Sequence, residues 1–292
     1  MKRFISILLV LLLIAVLFGC DKQEPEIVEI PKTLGLWTVS TTHTEEVTGG
    51  VTYQENTFTD IDGLPYKTYA LLLDPEKVTL HTGTAENGYD IMPVVRQNVM
   101  EQMQASVADG LDVIAAVNGD FFAISSTFVP SGLSVKNGVI LTDNTNWRPY
   151  SAVTKDGQFV INDGVNNRID PNTLQMAVGG SYVIVTDGQI TLPAVSNDLG
   201  TTAHPRTLAG VRDDGTIILA VIDGRQPGLS NGASYEQSAA YMIWLGAKTA
   251  INHDGGGSST IIIRNGDNYR VMNSPSDGNL RQVFCSIQVV KK

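Results

Sequence analysis

Residues Asn252-His253-Asp254-Gly255-Gly256-Gly257-Ser258-Ser259 set a carboxylate directly before three glycines and two hydroxyls. Successive glycines cost conformational entropy and contribute no packing. A two-residue turn needs only one, so three suggest backbone that approaches a ligand or takes positive φ. Exposed amides of Gly255, Gly256 and Gly257, joined by the Ser258 and Ser259 hydroxyls, would make an anion-binding nest with Asp254 at its lip. The competing reading is a plain turn formed around Asp254. No Gly-Lys-Ser/Thr follows and no helix pattern begins here, so this is not a nucleotide-binding P-loop.

Three further segments carry chemistry-bearing residues. Ala115 to Phe122 is an apolar strand pattern ending in Asn118-Gly119-Asp120, followed by two aromatics. Asn118 and Asp120 would project from the strand end, although Asn-Gly is also a common hairpin turn. His204-Pro205-Arg206-Thr207 and Asp223-Gly224-Arg225 each put an arginine at a strand boundary. A guanidinium suits bidentate contact with phosphate or carboxylate, while a surface ion pair is the alternative use. Glu236 falls in the first turn of a helix pattern, where it also complements the helix dipole. The histidines at 43, 81, 204 and 253 have no metal-ligand spacing, and no cofactor is expected, with a divalent cation left open.

These residues need a frame. Asp-Gly and Asn-Gly dipeptides recur between short apolar runs, the pattern of hairpins. Ala152–Thr154 with Phe159–Ile161, and Thr207–Val211 with Thr216–Ile222, are two expected pairs. Val283, Cys285, Ile287 and Val289 alternate as one buried strand face, which makes Cys285 an inert core thiol. Two segments have helical spacing. Val95, Val99, Met103 and Val107 recur every four residues and predict a helix capped by Asp90 and running to Ala108. The second runs from Tyr235 to Leu245, with Ser234 and Gln237 as a capping box and Gly246 near its end. The expected fold is α+β: a strand-rich single domain with mixed or antiparallel sheets and two main helices.

The chain has 292 residues and a net charge of −10. That size buries a sufficient core without a disulfide or metal staple. The acidic balance argues against a nucleic-acid partner. Two cysteines exclude a disulfide framework. At the start, Lys2 and Arg3 precede the apolar run Phe4–Phe18, which is too short to span a membrane. It meets Gly19-Cys20, similar to a bacterial lipobox in which the cysteine is lipidated. Residues 1–19 are expected to be a lipoprotein signal peptide, residues 20–35 a tether with Pro25 and Pro31, and residues 36–292 the folded domain. The expected location is the bacterial cell envelope outside the cytoplasm, with the acyl chain on Cys20 in a bilayer.

In order, these pieces resemble the phosphodiester glycosidase family. The matching stretches are Asn118-Gly119-Asp120-Phe121-Phe122, Pro205-Arg206-Thr207, Asp223-Gly224-Arg225, Leu245-Gly246-Ala247 and Asn252 to Thr260. Asn273 and Arg281-Gln282-Val283 look like the family's closing segment. Departures are Asp120, where a small residue is frequent, His253, where an apolar one is, and His204 before Pro205. The resemblance implies a hydrolase that cleaves a sugar-1-phosphodiester to free sugar and phosphomonoester. It implies a phosphorylated glycan or sugar-1-phosphodiester as partner. Phosphate leaves readily, its second pKa being near 6, so such a site needs charge stabilisation more than a strong acid. Arg206, Arg225 and the loop amides would supply it, with Asn118, Asp120, Gly255, Gly256, Ser258, Ser259 and Asn273 also binding substrate. A carboxylate must steady the oxocarbenium-like centre or activate water. Asp254 is the first candidate, then Glu236 and Asp223. Two other classes fit the same residues: a non-catalytic surface lipoprotein that binds phosphorylated glycans, and a glycosidase for uncharged sugars.

Overall fold

The computed structural model describes residues 38–60, 62–91, 95–143, 148–166, 168–192 and 198–292. Cys20, the signal and the tether lie outside the described residues. Among them the architecture is α+β and strand-rich, and every strand pair is antiparallel. An eight-stranded sheet runs in the order Thr38–Thr48, Val51–Thr59, Pro65–Leu73, Ile217–Ile222, Arg206–Val211, Thr249–Asn252, Tyr182–Thr186, Gln189–Ile190. A five-stranded sheet packs against it, ordered Asn268–Val271, Ile261–Asn265, Val113–Asn118, Cys285–Lys291, Val78–Thr84. A third sheet has Phe159–Asn162, Tyr150–Thr154, Leu174–Gly179, Leu133–Lys136 and Val139–Asp143.

The period-2 geometry of strands explains why the central runs are apolar on both faces. In Ile217–Ile222, Ile217, Leu219 and Val221 face the main core, which they share with Ala115, Val117, Ile261, Ile287 and Val289 of the second sheet. Ile218, Ala220 and Ile222 face the other way, under Ala239, Tyr241 and Met242 of the helix Tyr235–Trp244. The second sheet repeats this arrangement. Val113, Ala116 and Ile262 lie under Val99 and Met103 of the helix Val99–Ala108. The layers are therefore helix, sheet, sheet, helix, with the third sheet closing one side of the core through Val153, Met176 and Val178.

Both expected hairpins form, with Phe159 opposite Val153 and Thr207 opposite Val221. The Tyr235 helix carries its capping box, Ser234 Oγ accepting from Gln237 N and Gln237 Oε1 from Ser234 N. The first helix differs from expectation at its start. Asp90 does not cap it and Val95 lies outside it, half-exposed. Asn98 and Glu101 form a reciprocal capping box that starts the helix at Val99. Cys285 is buried as expected, but its strand is covered on both faces: Ser286 and Gln288 are as buried as Ile287 and Val289.

Candidate active site

The glycine loop crosses from one sheet to the other. It leaves the large sheet after Asn252 and enters the second at Ile261, which pairs with Val117. A loop spanning two sheets needs a fastening, and Asn118 supplies it. Its Nδ2 donates to Asp254 O at 2.7 Å, and its Oδ1 accepts from Thr207 Oγ1 at 2.7 Å and from Thr260 N at 3.1 Å. One fully buried amide thus ties both sheets to the loop. The sequence reading gave Asn118 to substrate; the structure gives it to the scaffold, because its groups are taken by protein partners.

Asp254 N donates to Gly119 O, so the loop docks beside the Asn118-Gly119-Asp120 turn. The Asp254 carboxyl is partly exposed and accepts from Gly255 N and from the Ser258 hydroxyl. Desolvation nevertheless lifts its pKa to about 6, with Arg281 and Arg148 opposing the rise. Asp120 is 1% exposed. Its Oδ2 accepts from Gly132 N at 2.6 Å, while its Oδ1 has no hydrogen-bond partner among the described residues. Burial raises Asp120 to about 7; the charge of Asp254 adds to that and Arg148 opposes it. The site therefore holds two carboxyls that ionise reluctantly, faced by a guanidinium. Arg148, stacked at 5.2 Å on the Phe121 ring, escaped the sequence reading. In sequence it stands before Pro149 at the entry to the strand Tyr150–Thr154, with no motif around it.

The three glycines behave differently from the expected nest. Gly255 N is taken by Asp254 Oδ1 and Gly256 N by Pro205 O, leaving Gly257 N as the amide with no partner among the described residues. Gly256 is required by its φ of +61°. Gly257 is required by close approach: a Cβ there would overlap the side chains of Arg281 and Asp277. Ser258 Oγ accepts from Arg281 Nη1 at 3.4 Å, and Arg281 Nε and Nη2 hold Asp277. The buried Ser259 Oγ has no partner among the described residues.

Several expected site residues are placed elsewhere. Arg206 is buried, its Nε donating to Ala233 O and its Nη2 to Leu199 O and Thr202 O, with its guanidinium 4.5 Å from the Tyr235 ring. Its Nε and Nη2 are committed to backbone carbonyls, which fastens the guanidinium inside the fold. Asp223 is 1% exposed and accepts from Tyr69 Oη, Asn273 Nδ2 and Ser274 N. Asn273 also donates to Ser259 O and accepts from Ile261 N. This pair anchors the closing segment to the loop, with the Asp223 carboxyl buried and taken up by protein donors. Glu236 is exposed on the first helical turn, where it suits the helix dipole. Of the two arginines expected to meet phosphate, Arg225 remains exposed beside the loop. An added Cβ on Gly256 would lie 3.1 Å from its Nη1, and its Nη2 donates to His204 Nδ1 at 3.1 Å.

His253 is wholly buried. Its Nδ1 donates to Gly179 O at 2.8 Å, which leaves Nε2 to accept from Ser151 Oγ. Burial pushes it down to about 4, so it stays neutral and pins the loop to the third sheet. Among the described residues, no group of three or more His, Cys, Asp or Glu side chains is placed to hold a metal ion.

Comparison with solved structures gives the same overall fold in several proteins. Zebrafish N-acetylglucosamine-1-phosphodiester alpha-N-acetylglucosaminidase matches with a TM-score of 0.66 and 17% identity, over 86% of this chain and 88% of that catalytic domain. A hypothetical protein from Synechocystis matches with a TM-score of 0.64 and 14% identity, over 86% of this chain and 64% of that one. A putative exported protein from Burkholderia pseudomallei matches with a TM-score of 0.63 and 15% identity, over 90% and 98%. No curated protein sequence matches. At these identities the solved structures speak for the fold alone. The family model for phosphodiester glycosidases, however, matches residues 112–290, the span from the Asn118 strand through the glycine loop to the closing segment, and the chain belongs to the phosphodiester glycosidase family.

Proposed function

We propose that the chain hydrolyses a sugar-1-phosphodiester to free sugar and phosphomonoester, with Asp254 as the acting carboxylate. The observation that carries this is the grouping of a partly exposed Asp254 with the buried Asp120 and the guanidinium groups of Arg148 and Arg281. Water adds to the anomeric carbon, the bond from that carbon to the phosphate oxygen breaks, and the phosphate keeps the electron pair. Asp254, ionised above about pH 6, either steadies positive charge at the anomeric carbon or takes the proton from water. The leaving phosphate needs charge rather than a proton. Arg281 Nη1, Arg225 and Gly257 N are the donors with spare capacity next to the loop. Asp120 keeps its proton to about pH 7, which limits negative charge in a site that must admit an anion.

The same proposal includes an acyl anchor at Cys20 and a position outside the cytoplasm, from the basic start, the short apolar run and the lipobox-like Gly19-Cys20. No helix among the described residues is long and apolar enough to cross a membrane. The test is a product assay on a panel of sugar-1-phosphodiesters with Asp254→Asn alongside. Sugar and phosphomonoester should appear in equal amounts, and the variant should bind substrate while turnover falls ~10³-fold, the scale of losing about 4 kcal/mol of transition-state stabilisation. Binding without product across the panel would support the non-catalytic glycan binder. Equal turnover of uncharged glycosides would support an ordinary glycosidase.

A further inference from the structure

Arg281 has two sides. One faces Ser258 and Asp254; the other lines an open cleft of about 430 Å³ with Arg96, Ile124, Phe128, Asp277 and Leu280. Three features make this cleft a built surface. Phe128 is 2% exposed yet held at φ +61°, a left-handed conformation that costs a bulky residue energy and clusters at ligand sites. That backbone is fixed by Phe128 N donating to Ala123 O, and the ring packs on Phe122 at 4.5 Å between centroids. Arg96 lies over the same ring, 4.5 Å from its centroid, and no carboxylate pairs with it among the described residues. Ile124 is 48% exposed at the rim, an apolar side chain presented to solvent next to a cation. Asp277, the one carboxylate of the lining, is already held by Arg281 Nε and Nη2. The cleft therefore offers an apolar rim at Ile124 and Leu280, over a floor that the buried Phe128 supports, and one unneutralised positive charge, and it joins the candidate site through Arg281 Nη1.

We propose that this cleft takes the second alcohol of the phosphodiester, the arm that leaves with the phosphate, and that the preferred arm has an apolar body carrying a further negative charge. The inference rests on the hydrolytic reading above. The phosphate would sit at Arg281 Nη1, the apolar body against Leu280 and Ile124, and the added anion at Arg96. A bare methyl arm leaves the rim and the cation unused. Each feature should add up to roughly tenfold, about 1.4 kcal/mol, because the cleft is open and buries each group only in part.

The experiment separates the cleft from the chemistry. Phosphomonoesters of three alcohols are titrated calorimetrically into the purified protein: methyl phosphate, 2-phenylethyl phosphate and 2-(4-carboxyphenyl)ethyl phosphate. The matching sugar-1-phosphodiesters are assayed for turnover in parallel. Affinity and kcat/KM should both rise by up to about tenfold at each step of the series. Arg96→Ala should remove the carboxylate step and keep the phenyl step. Leu280→Ser should shrink the phenyl step. Equal affinities for the three esters, or an Arg96→Ala variant that keeps the carboxylate preference, overturn the cleft assignment. Ranked binding with no turnover of any diester overturns the hydrolytic reading and leaves the cleft as the binding site of a phosphorylated, apolar, anionic alcohol. Both variants fold independently of the outcome if their melting curves match the wild type, which is checked first.

Discussion

Asp120→Asn probes the buried carboxyl directly. In the fold Asp120 keeps its proton to about pH 7, against an ordinary value of 3.8. Between those values the folded protein binds more protons than the unfolded chain, so this group lowers stability as pH rises. About 3 units at 1.36 kcal/mol each amount to about 4 kcal/mol by pH 8, of which a little over a third has accumulated by pH 5. Asparagine is neutral throughout, and its Oδ1 can still accept from Gly132 N in place of Asp120 Oδ2. The variant should therefore gain on the wild type by about 2–3 kcal/mol between pH 5 and pH 8. At about 2–4 °C per kcal/mol, the gap in melting temperature should widen by roughly 5–10 °C. Thermal melts of both proteins at the two pH values, in one buffer series at constant ionic strength, measure this. A gap that stays flat with pH would mean that Asp120 is ionised in the fold at both values, and the account of the site as two reluctant carboxyls would be wrong.

Other expected outcomes follow from the same geometry. Wild-type turnover should rise through about pH 6 as Asp254 ionises and fall above about pH 7 as Asp120 adds a second charge; Asp120→Asn should lose the alkaline fall, read from kcat/KM against pH. Arg206→Lys should cost stability, because one ammonium cannot reach Ala233 O, Leu199 O and Thr202 O together; a lower melting temperature with near-normal kcat in the folded fraction checks it. Arg225→Lys should do the reverse, lowering kcat/KM with little change in melting, because Arg225 is exposed at the loop. Asn118→Ala strands a carbonyl, a hydroxyl and an amide in the interior at about 1–3 kcal/mol each, so denaturant unfolding should show a loss of at least about 3 kcal/mol. Cys20→Ser should move the protein from the membrane fraction to the soluble fraction if the anchor proposal holds.

Much of the fold was legible in the chain because its signals are local. The hairpins follow from turn dipeptides between apolar runs, and the helix at Tyr235 from a capping box whose two halves lie three residues apart. The start of the other helix differs from expectation because four-residue spacing continues back to Val95, while the start signal is the pairing of Asn98 with Glu101. The glycine loop was conspicuous by composition, yet why three glycines stand there depends on distant atoms: Arg281 and Asp277 press on Gly257 from the closing segment. Residue type alone made Arg206, Asp223 and Asn118 look like ligand groups. Burial turned each into a fastening, since a polar group removed from water must spend its hydrogen bonds on protein. Arg148 and Asp120 show the converse. Nothing in their neighbours along the chain marks one as the other's electrostatic partner; they meet only because the Asn118 strand, the third sheet and the loop converge at one end of the core. Sequence set which groups could do chemistry, and the packing of two sheets across one loop decided which of them retain the freedom to do it.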